Sequence, residues 1–257
     1  MVRNVSDIYA MGGTPRWATL AMALPEEMQV NTFEGLLKGI KNCCSRYDLG
    51  VLGGDLSKAE TTMLSMTVLG WPGQRTLRRS SARTGQKIYL TGPVGEAALG
   101  LYVLKSLKRP VRLEEGETLN IEPGWTVVEP LIRRACLPEV VPLPSSDGIG
   151  ATIDISDGLG IDLWRLCTAS GVGARIYWDR LPITEEMKAL AEAFGLKLME
   201  FVLSGGEDYQ LLLTGDGLKE GFFEIGEVTT SGCEIVMSDG RAIELGPNRG
   251  YEHFRTL

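Results

Sequence analysis

Ala151-Thr152-Ile153-Asp154-Ile155-Ser156-Asp157-Gly158-Leu159 runs an alternating apolar strand straight into two carboxylates and a hydroxyl. Leu159, Leu163 and Leu166 then recur at helical spacing, and Gly171 ends the run. A helix therefore begins where the strand stops. An acidic group at the end of a buried strand is costly unless something cationic compensates it. A helix cap accounts for Ser156 or Asp157, but it leaves Asp154 without a role. A Mg²⁺ or Mg-nucleotide site accounts for all three polar residues and is the preferred reading; capping alone is the alternative.

Working outward, 257 residues suffice for one large domain or two smaller ones. The net charge of −7 argues against nucleic acid or an anionic membrane as the main partner. Nucleotides stay compatible with an acidic chain when metal ions stand between carboxylates and phosphates. No segment has the apolar length of a membrane span, and the first residues carry no signal-peptide core. The five cysteines are odd in number and lack CxxC spacing, which suits a reduced, cytoplasmic protein and neither a disulfide frame nor a zinc site. His253 is the single histidine, so a Ser-His-Asp triad or a multi-histidine metal site has almost nothing to draw on.

Elements alternate along the chain as in an α/β protein with mixed sheets. Residues 6–11 read as a helix start, 16–24 as a strand ended by Pro25, and 32–46 as a helix with Thr32 at its N-cap. Residues 49–52 and 61–71 read as strands, and Gly53-Gly54-Asp55 between them as a tight turn that puts a carboxylate at a strand end. The predicted domains are 1–72 and 87–257, joined by an Arg- and Ser-rich linker at 73–86. Beyond it come a strand at 87–91, a glycine loop leading into a helix through 107, and a helix near 127–135. A strand at 175–178 and a helix capped by Thr184 and ending at Gly195 follow. Strands at 209–214 and 223–228 and a hairpin at Asp239-Gly240 complete a mixed sheet.

Four further sites stand out, each with a plainer alternative. Ser6-Asp7 followed by Met11-Gly12-Gly13 puts a carboxylate at a helix start, where capping would also explain it. Gly53-Gly54-Asp55 is otherwise a strand connection, and Ser204-Gly205-Gly206-Glu207-Asp208-Tyr209 is otherwise a solvated turn. Gly92-Pro93-Val94-Gly95 could cradle phosphate through backbone N–H groups, a weak signal by itself. No Walker A sequence or protein-kinase catalytic loop occurs.

Together, these motifs and their order resemble the thiamine-monophosphate kinases. Residues 4–15 resemble that family's Asn-x-Ser-Asp-x-x-Ala-Met-Gly-x-x-Pro signature. Gly53-Gly54-Asp55, Arg79-Ser80, Thr91-Gly92, the 154–159 run, 204–209 and Gly250-Tyr251-Glu252-His253-Phe254 follow in the family's order over essentially the whole chain. The resemblance implies the two-domain fold of aminoimidazole-ribonucleotide synthetase, a homodimer, and ATP bound between the domains. It implies phosphorylation of thiamine monophosphate by ATP, giving ADP and thiamine diphosphate. It also implies that Asp7, Asp55 and Asp154 ligate Mg²⁺, with Asp157 on a further metal. Gly54, Asp55, Arg79 and Ser156 would meet ATP, and Glu207 and Tyr251 the thiamine moiety. Chemistry agrees: both reactants are anions that cations must screen, and an acceptor phosphate already ionised at neutral pH needs no strong base.

The chain departs from the pattern in several places. Leu56-Ser57-Lys58 follows Asp55 where relatives carry Thr-Thr-Arg, and Leu37 stands where they often place a tyrosine against the nucleotide base. Residues 130–150 match the family's proline-rich stretch poorly. Met1 lies three residues before Asn4, whereas relatives carry a front segment of about fifty residues with Gly-Asp-Asp and Thr-Asp-Thr motifs. The expectation is an incomplete N-terminal domain and a weak kinase. Other readings are a hydrogenase-maturation, selenophosphate or aminoimidazole-ribonucleotide synthetase relative, or a non-catalytic nucleotide- or thiamine-phosphate-binding remnant. The ending Phe254-Arg255-Thr256-Leu257 lacks the cysteine tail of the first of these.

Overall fold

The computed structural model describes residues 1–110, 117–218 and 221–247. The chain divides into two compact units: Met1–Thr76 with Val140–Ser146, and Leu77–Glu139 with Asp147–Leu257. Gly250, Tyr251 and the rest of that predicted motif lie outside the described residues.

The first unit begins with α1 (Val2–Ala10), which buries Val5, Ser6, Tyr9 and Ala10. The predicted helix start at Ser6 is thus displaced: Asn4 and Val5 donate their amides to the Met1 carbonyl, so Asp7 lies in the helix body and caps nothing. Strand β1 (Thr14–Leu24), helix α2 (Val30–Arg46) and strand β2 (Gly50–Lys58) form a β-α-β crossover, with β1 and β2 parallel. Strand β3 (Met63–Trp71) pairs antiparallel with the other side of β1, giving the order β2-β1-β3. Helix α2 opens two residues earlier than its predicted cap, because Thr32 and Phe33 both donate to the carbonyl of extended Gln29. The Val140 amide donates to the Tyr47 hydroxyl at 3.3 Å, tying residues 140–146 to this unit.

Gly53-Gly54-Asp55 is not a turn. These residues continue β2, opposite Thr19, Leu20 and Ala21, just past a register slip at Ala18/Thr19. A Cβ on Gly54 would sit 1.8 Å from the Leu20 carbonyl oxygen. The glycine serves a close approach of two strands, which the sequence pattern cannot tell from a turn.

The second unit is a seven-stranded mixed sheet with helices. Its strands are β4 (Lys87–Leu90), β5 (Ile149–Asp154), β6 (Gly173–Tyr177), β7 (Leu211–Gly215), β8 (Phe223–Thr229), β9 (Cys233–Val236) and β10 (Ala242–Glu244), in the order β10-β9-β6-β8-β4-β7-β5. Every neighbouring pair is antiparallel except β6 and β9. Helices α3 (Glu96–Ser106), α4 (Trp125–Cys136), α5 (Leu159–Ser170), α6 (Glu185–Phe194) and α7 (Leu198–Ser204) complete it. Leu159, Leu163 and Leu166 on α5 are buried with Ile88, Leu90, Ile176 and Leu212 from the sheet. Each such side chain contributes about 1.5–3 kcal/mol by leaving water. Thr184 caps α6 by accepting from the Met187 amide, and Gly171 and Gly195 close α5 and α6 in the left-handed conformation. Strand β7 starts at Leu211 and not at Tyr209 as predicted, since Tyr209 takes a positive φ of 53°. Among the described residues no helix is long and apolar enough to cross a membrane.

Candidate functional site

In the second unit the strand-turn-helix of residues 149–170 forms as predicted, but its capping differs. Gly158 occupies the N-cap of α5, and neither Ser156 nor Asp157 caps with its side chain. The Asp162 carboxylate, one turn inside the helix, accepts from the amides of Ser156 (3.1 Å) and Asp157 (3.0 Å). Arg165 donates to Asp162 at 2.8 Å and to Asp157 at 2.5 Å. Asp162 is wholly buried, and burial pushes its carboxyl up to about 6 despite the Asp157 amide and Arg165, which pull it down. The turn is therefore set by an internal carboxylate and one arginine. Asp154, nearly buried, ends β5 beside it, and Ser156 and Asp157 are half-buried.

The glycine-pair loop lies against this turn. The Glu207 amide donates to the Ser156 carbonyl and the Tyr209 amide to the Ile155 carbonyl, both at 3.0 Å, while Ile155 donates to Gln210 at 2.8 Å. A Cβ on Gly206 would fall 2.2 Å from the Ser156 oxygen, so only glycine permits this approach. Glu207 is exposed, whereas Asp208 and Tyr209 are buried. The predicted residues Asp154, Ser156, Asp157 and Glu207 thus gather on two adjacent segments of one unit.

Gly92-Pro93-Val94-Gly95 does not present an open phosphate cradle. Asp208 accepts from the Gly95 amide at 2.5 Å and the Ala97 amide at 2.9 Å, filling the N-terminus of α3 with a carboxylate of the protein itself. Burial pushes the Asp208 carboxyl up to about 7, although both amides pull it down. Thr91 and Gln210 link the neighbouring strands: the Thr91 hydroxyl donates to Gln210 at 2.9 Å and accepts from the Leu211 amide. Arg79 belongs to this unit and is exposed; its carbonyl accepts from Ser170, whose hydroxyl also accepts from the Ala82 amide.

The first unit carries the remaining predicted residues. Asp7 lies exposed on α1; loss of surrounding water still holds its carboxyl above the ordinary value, with Arg3 pulling it down. Asp55 is exposed on β2 and accepts from the Ser57 hydroxyl at 2.7 Å. Gly53, Gly54 and Asp55 line an open, largely apolar cavity of about 430 Å³ with Leu20, Met22 and Leu37. Among the described residues of either unit, no three metal-ligating side chains of Asp, Glu, His or Cys gather into one cluster.

Asp162 and Arg165 escaped the sequence reading, and Asp208 stood in the 204–209 motif with no role assigned to it. Asp162 left a trace: it falls at apolar spacing with Leu159, Leu163 and Leu166, on the face that must be buried. An acid there demands partners, and the amides and Arg165 supply them.

Residues 1–71 match the AIR synthase related protein N-terminal domain, and residues 83–238 match the corresponding C-terminal domain. A thiamine-monophosphate kinase of Aquifex aeolicus is 34% identical over 98% of this chain and 78% of its own length. One of Salmonella typhimurium is likewise 34% identical over the same shares of both chains. A solved complex of AaThiL with AMPPCP and TMP superposes with a TM-score of 0.81 at 32% identity, covering 98% of this chain and 78% of that one. A hydrogenase maturation protein, HypE with ATP, shares the fold alone, at 15% identity and a TM-score of 0.71.

Proposed function

We propose that this chain, which belongs to the thiamine-monophosphate kinase family of AIR synthase related proteins, transfers the terminal phosphoryl group of ATP to thiamine monophosphate, giving ADP and thiamine diphosphate. The observation that carries this reading is identity of about a third spread over 98% of the chain to relatives bearing that one name. The AaThiL complex with AMPPCP and TMP supports a site for both reactants.

The residues suit an in-line transfer that relies on positioning and charge. The acceptor phosphate is already ionised at neutral pH, so no side chain need act as a strong base. Exposed Glu207 offers a carboxylate to the permanently cationic thiazolium, which favours thiamine monophosphate over neutral-bodied phosphate esters. Tyr251 is assigned to an aromatic contact with the same moiety. Gly54, Arg79 and Ser156 are assigned to ATP; the apolar cavity lined by Met22 and Leu37 suits its base.

The donor set fits Mg²⁺, a hard ion that takes oxygen ligands. The carboxylates assigned to it are Asp7 and Asp55 in the first unit, with the Ser57 hydroxyl beside Asp55, and Asp154 and Asp157 in the second. When bound, Mg²⁺ supplies neutralisation and alignment of the phosphates. The Arg165 guanidinium meanwhile keeps Asp157 in one orientation.

The first unit is assigned to dimerisation and to ATP contacts through Gly54 and Asp55, and the second to the ATP contacts of Arg79 and Ser156 and the thiamine contact of Glu207, in a cytoplasmic protein. A homodimer is supported by Leu52, Leu56, Met63 and Trp71, all more than half exposed on strands β2 and β3. Titration with AMPPCP and thiamine monophosphate, followed by chromatography of thiamine diphosphate formed from ATP, tests the reading. Binding of both with product formation is expected; ATP hydrolysis without thiamine diphosphate would overturn it.

A further inference from the structure

We propose that Tyr209 is a positioning residue: its buried hydroxyl fixes the Glu207 carboxylate in the orientation that meets thiamine monophosphate. The inference rests on the assignment of Glu207 given above and deepens it.

Glu207 and Tyr209 take positive φ values of 71° and 53°, a conformation that L side chains rarely adopt. Such a pair persists only where the surroundings over-determine it. Here they do. Gly206 is pressed against the Ser156 carbonyl, and the Glu207 and Tyr209 amides bond to Ser156 and Ile155. Between them Asp208, 4% exposed, turns inward and accepts from the amides of Gly95, the N-cap of α3, and Ala97 in its first turn. The loop is thus nailed on both sides.

What this frame delivers includes a contact between its two strained residues. The Tyr209 hydroxyl donates to the Glu207 carboxylate at 2.7 Å. Tyr209 is only 3% exposed, so packing fixes its ring, while Glu207 reaches solvent. An exposed glutamate samples many rotamers, and ordering it on binding costs affinity. A charge-assisted bond from a rigid phenol removes that cost beforehand. The plainer account is that the carboxylate merely satisfies a buried hydroxyl. The two accounts differ in which ligand notices the loss.

Tyr209→Phe deletes one oxygen and should leave the melting temperature close to the parent's. Dissociation constants for thiamine monophosphate and AMPPCP are measured by calorimetry, with KM values for thiamine monophosphate and ATP. Thiamine monophosphate should weaken about tenfold and AMPPCP by less than about twofold. A Glu207→Gln/Tyr209→Phe double variant should bind no worse than Glu207→Gln alone, because once the carboxylate charge is gone its orientation no longer matters to the thiazolium. Parental affinity in Tyr209→Phe, equal losses for both ligands, or additive effects would overturn the proposal. Glu207→Asp offers a second route on an exposed residue: it keeps the charge but falls short of the Tyr209 hydroxyl. It should lose affinity as Glu207→Gln does, and parental affinity would show that charge without positioning is enough. Parental affinity in Glu207→Gln would withdraw the assignment of Glu207 itself, whereas a loss there with none in Tyr209→Phe would overturn only the positioning role.

Discussion

Gly206→Ala should damage both the second unit's stability and its grip on thiamine monophosphate. Gly206 lies outside the left-handed region, so alanine is conformationally permitted and the contact alone decides. The new Cβ would stand 2.2 Å from the Ser156 oxygen, 0.8 Å inside the 3.0 Å that real Cβ atoms respect, and its neighbour is rigid backbone. Relief requires the loop to move by roughly that amount away from residues 155–157. The Glu207–Ser156 and Tyr209–Ile155 bonds would go with it. At about 1 kcal/mol each, plus residual strain, the cost is about 2–3 kcal/mol. For a unit of this size that lowers the melting temperature by about 5–10 °C. Glu207 rides on the displaced loop, and a misplacement approaching 1 Å can cost about 10²-fold in a positioned reaction. Scanning calorimetry and thiamine monophosphate titration read the two effects; Gly246→Ala, where a Cβ meets open space, is the control. A Gly206→Ala protein that melts and binds like the control would refute the close apposition of the two segments.

Three other outcomes follow from different parts of the molecule. Asp162 keeps its proton to about pH 6 in the fold but releases it near 3.8 when unfolded, so its contribution is complete below the lower value and lost as pH rises through the upper. That amounts to about 3 kcal/mol, and Asp162→Asn should flatten the fall in unfolding free energy between pH 3.5 and 7.5 by that much in denaturant titrations; an unchanged slope refutes it. Gly35 sits within α2 with open space at its Cβ position, so Gly35→Ala should raise stability by about 0.5–1 kcal/mol, and a lower melting temperature would count against the helix. Asp55→Asn, or EDTA on the parent, should weaken nucleotide binding at least tenfold with little change in melting temperature, since Asp55 is exposed; a large melting shift with unaltered affinity would make Asp55 structural.

Legibility followed burial and periodicity. Helix α5 was readable because Leu159, Leu163 and Leu166 mark one face and Gly171 stops it. Helix α6 was readable because Thr184 and Gly195 are ordinary caps for such a helix. Gly53-Gly54-Asp55 misled, because a glycine pair signals a turn and a close strand approach equally well; the Leu20 carbonyl that settles it comes from another strand. Thr32 misled because a good capping residue stood two places past Val30, the first residue of a helix whose N-cap, Gln29, makes no side-chain capping bond. Within the site, the acidic run was visible as a pattern, but its organisers were not. Arg165 and Asp208 act across eight and more than a hundred residues of chain, and no local period announces them.

The two carboxylates that organise the second unit also bear on how phosphate charge is met. A helix N-terminus ordinarily welcomes an anion through unpaired amides and the helix dipole. At α3 the Gly95 and Ala97 amides are already given to Asp208, and before α5 the Ser156 and Asp157 amides are given to Asp162. A phosphate arriving near residues 154–157 therefore finds these donors committed and carboxylates nearby. Arg165 does not relieve it, since its guanidinium is shared between Asp157 and Asp162. Under the proposed function, in a chain carrying a net charge of −7, the compensating charge would come with the nucleotide. A divalent cation would serve there better than another arginine: Mg²⁺ can bind carboxylate and phosphate oxygens at once, so on the proposed reading the same aspartates that repel a bare phosphate would be the means of holding it.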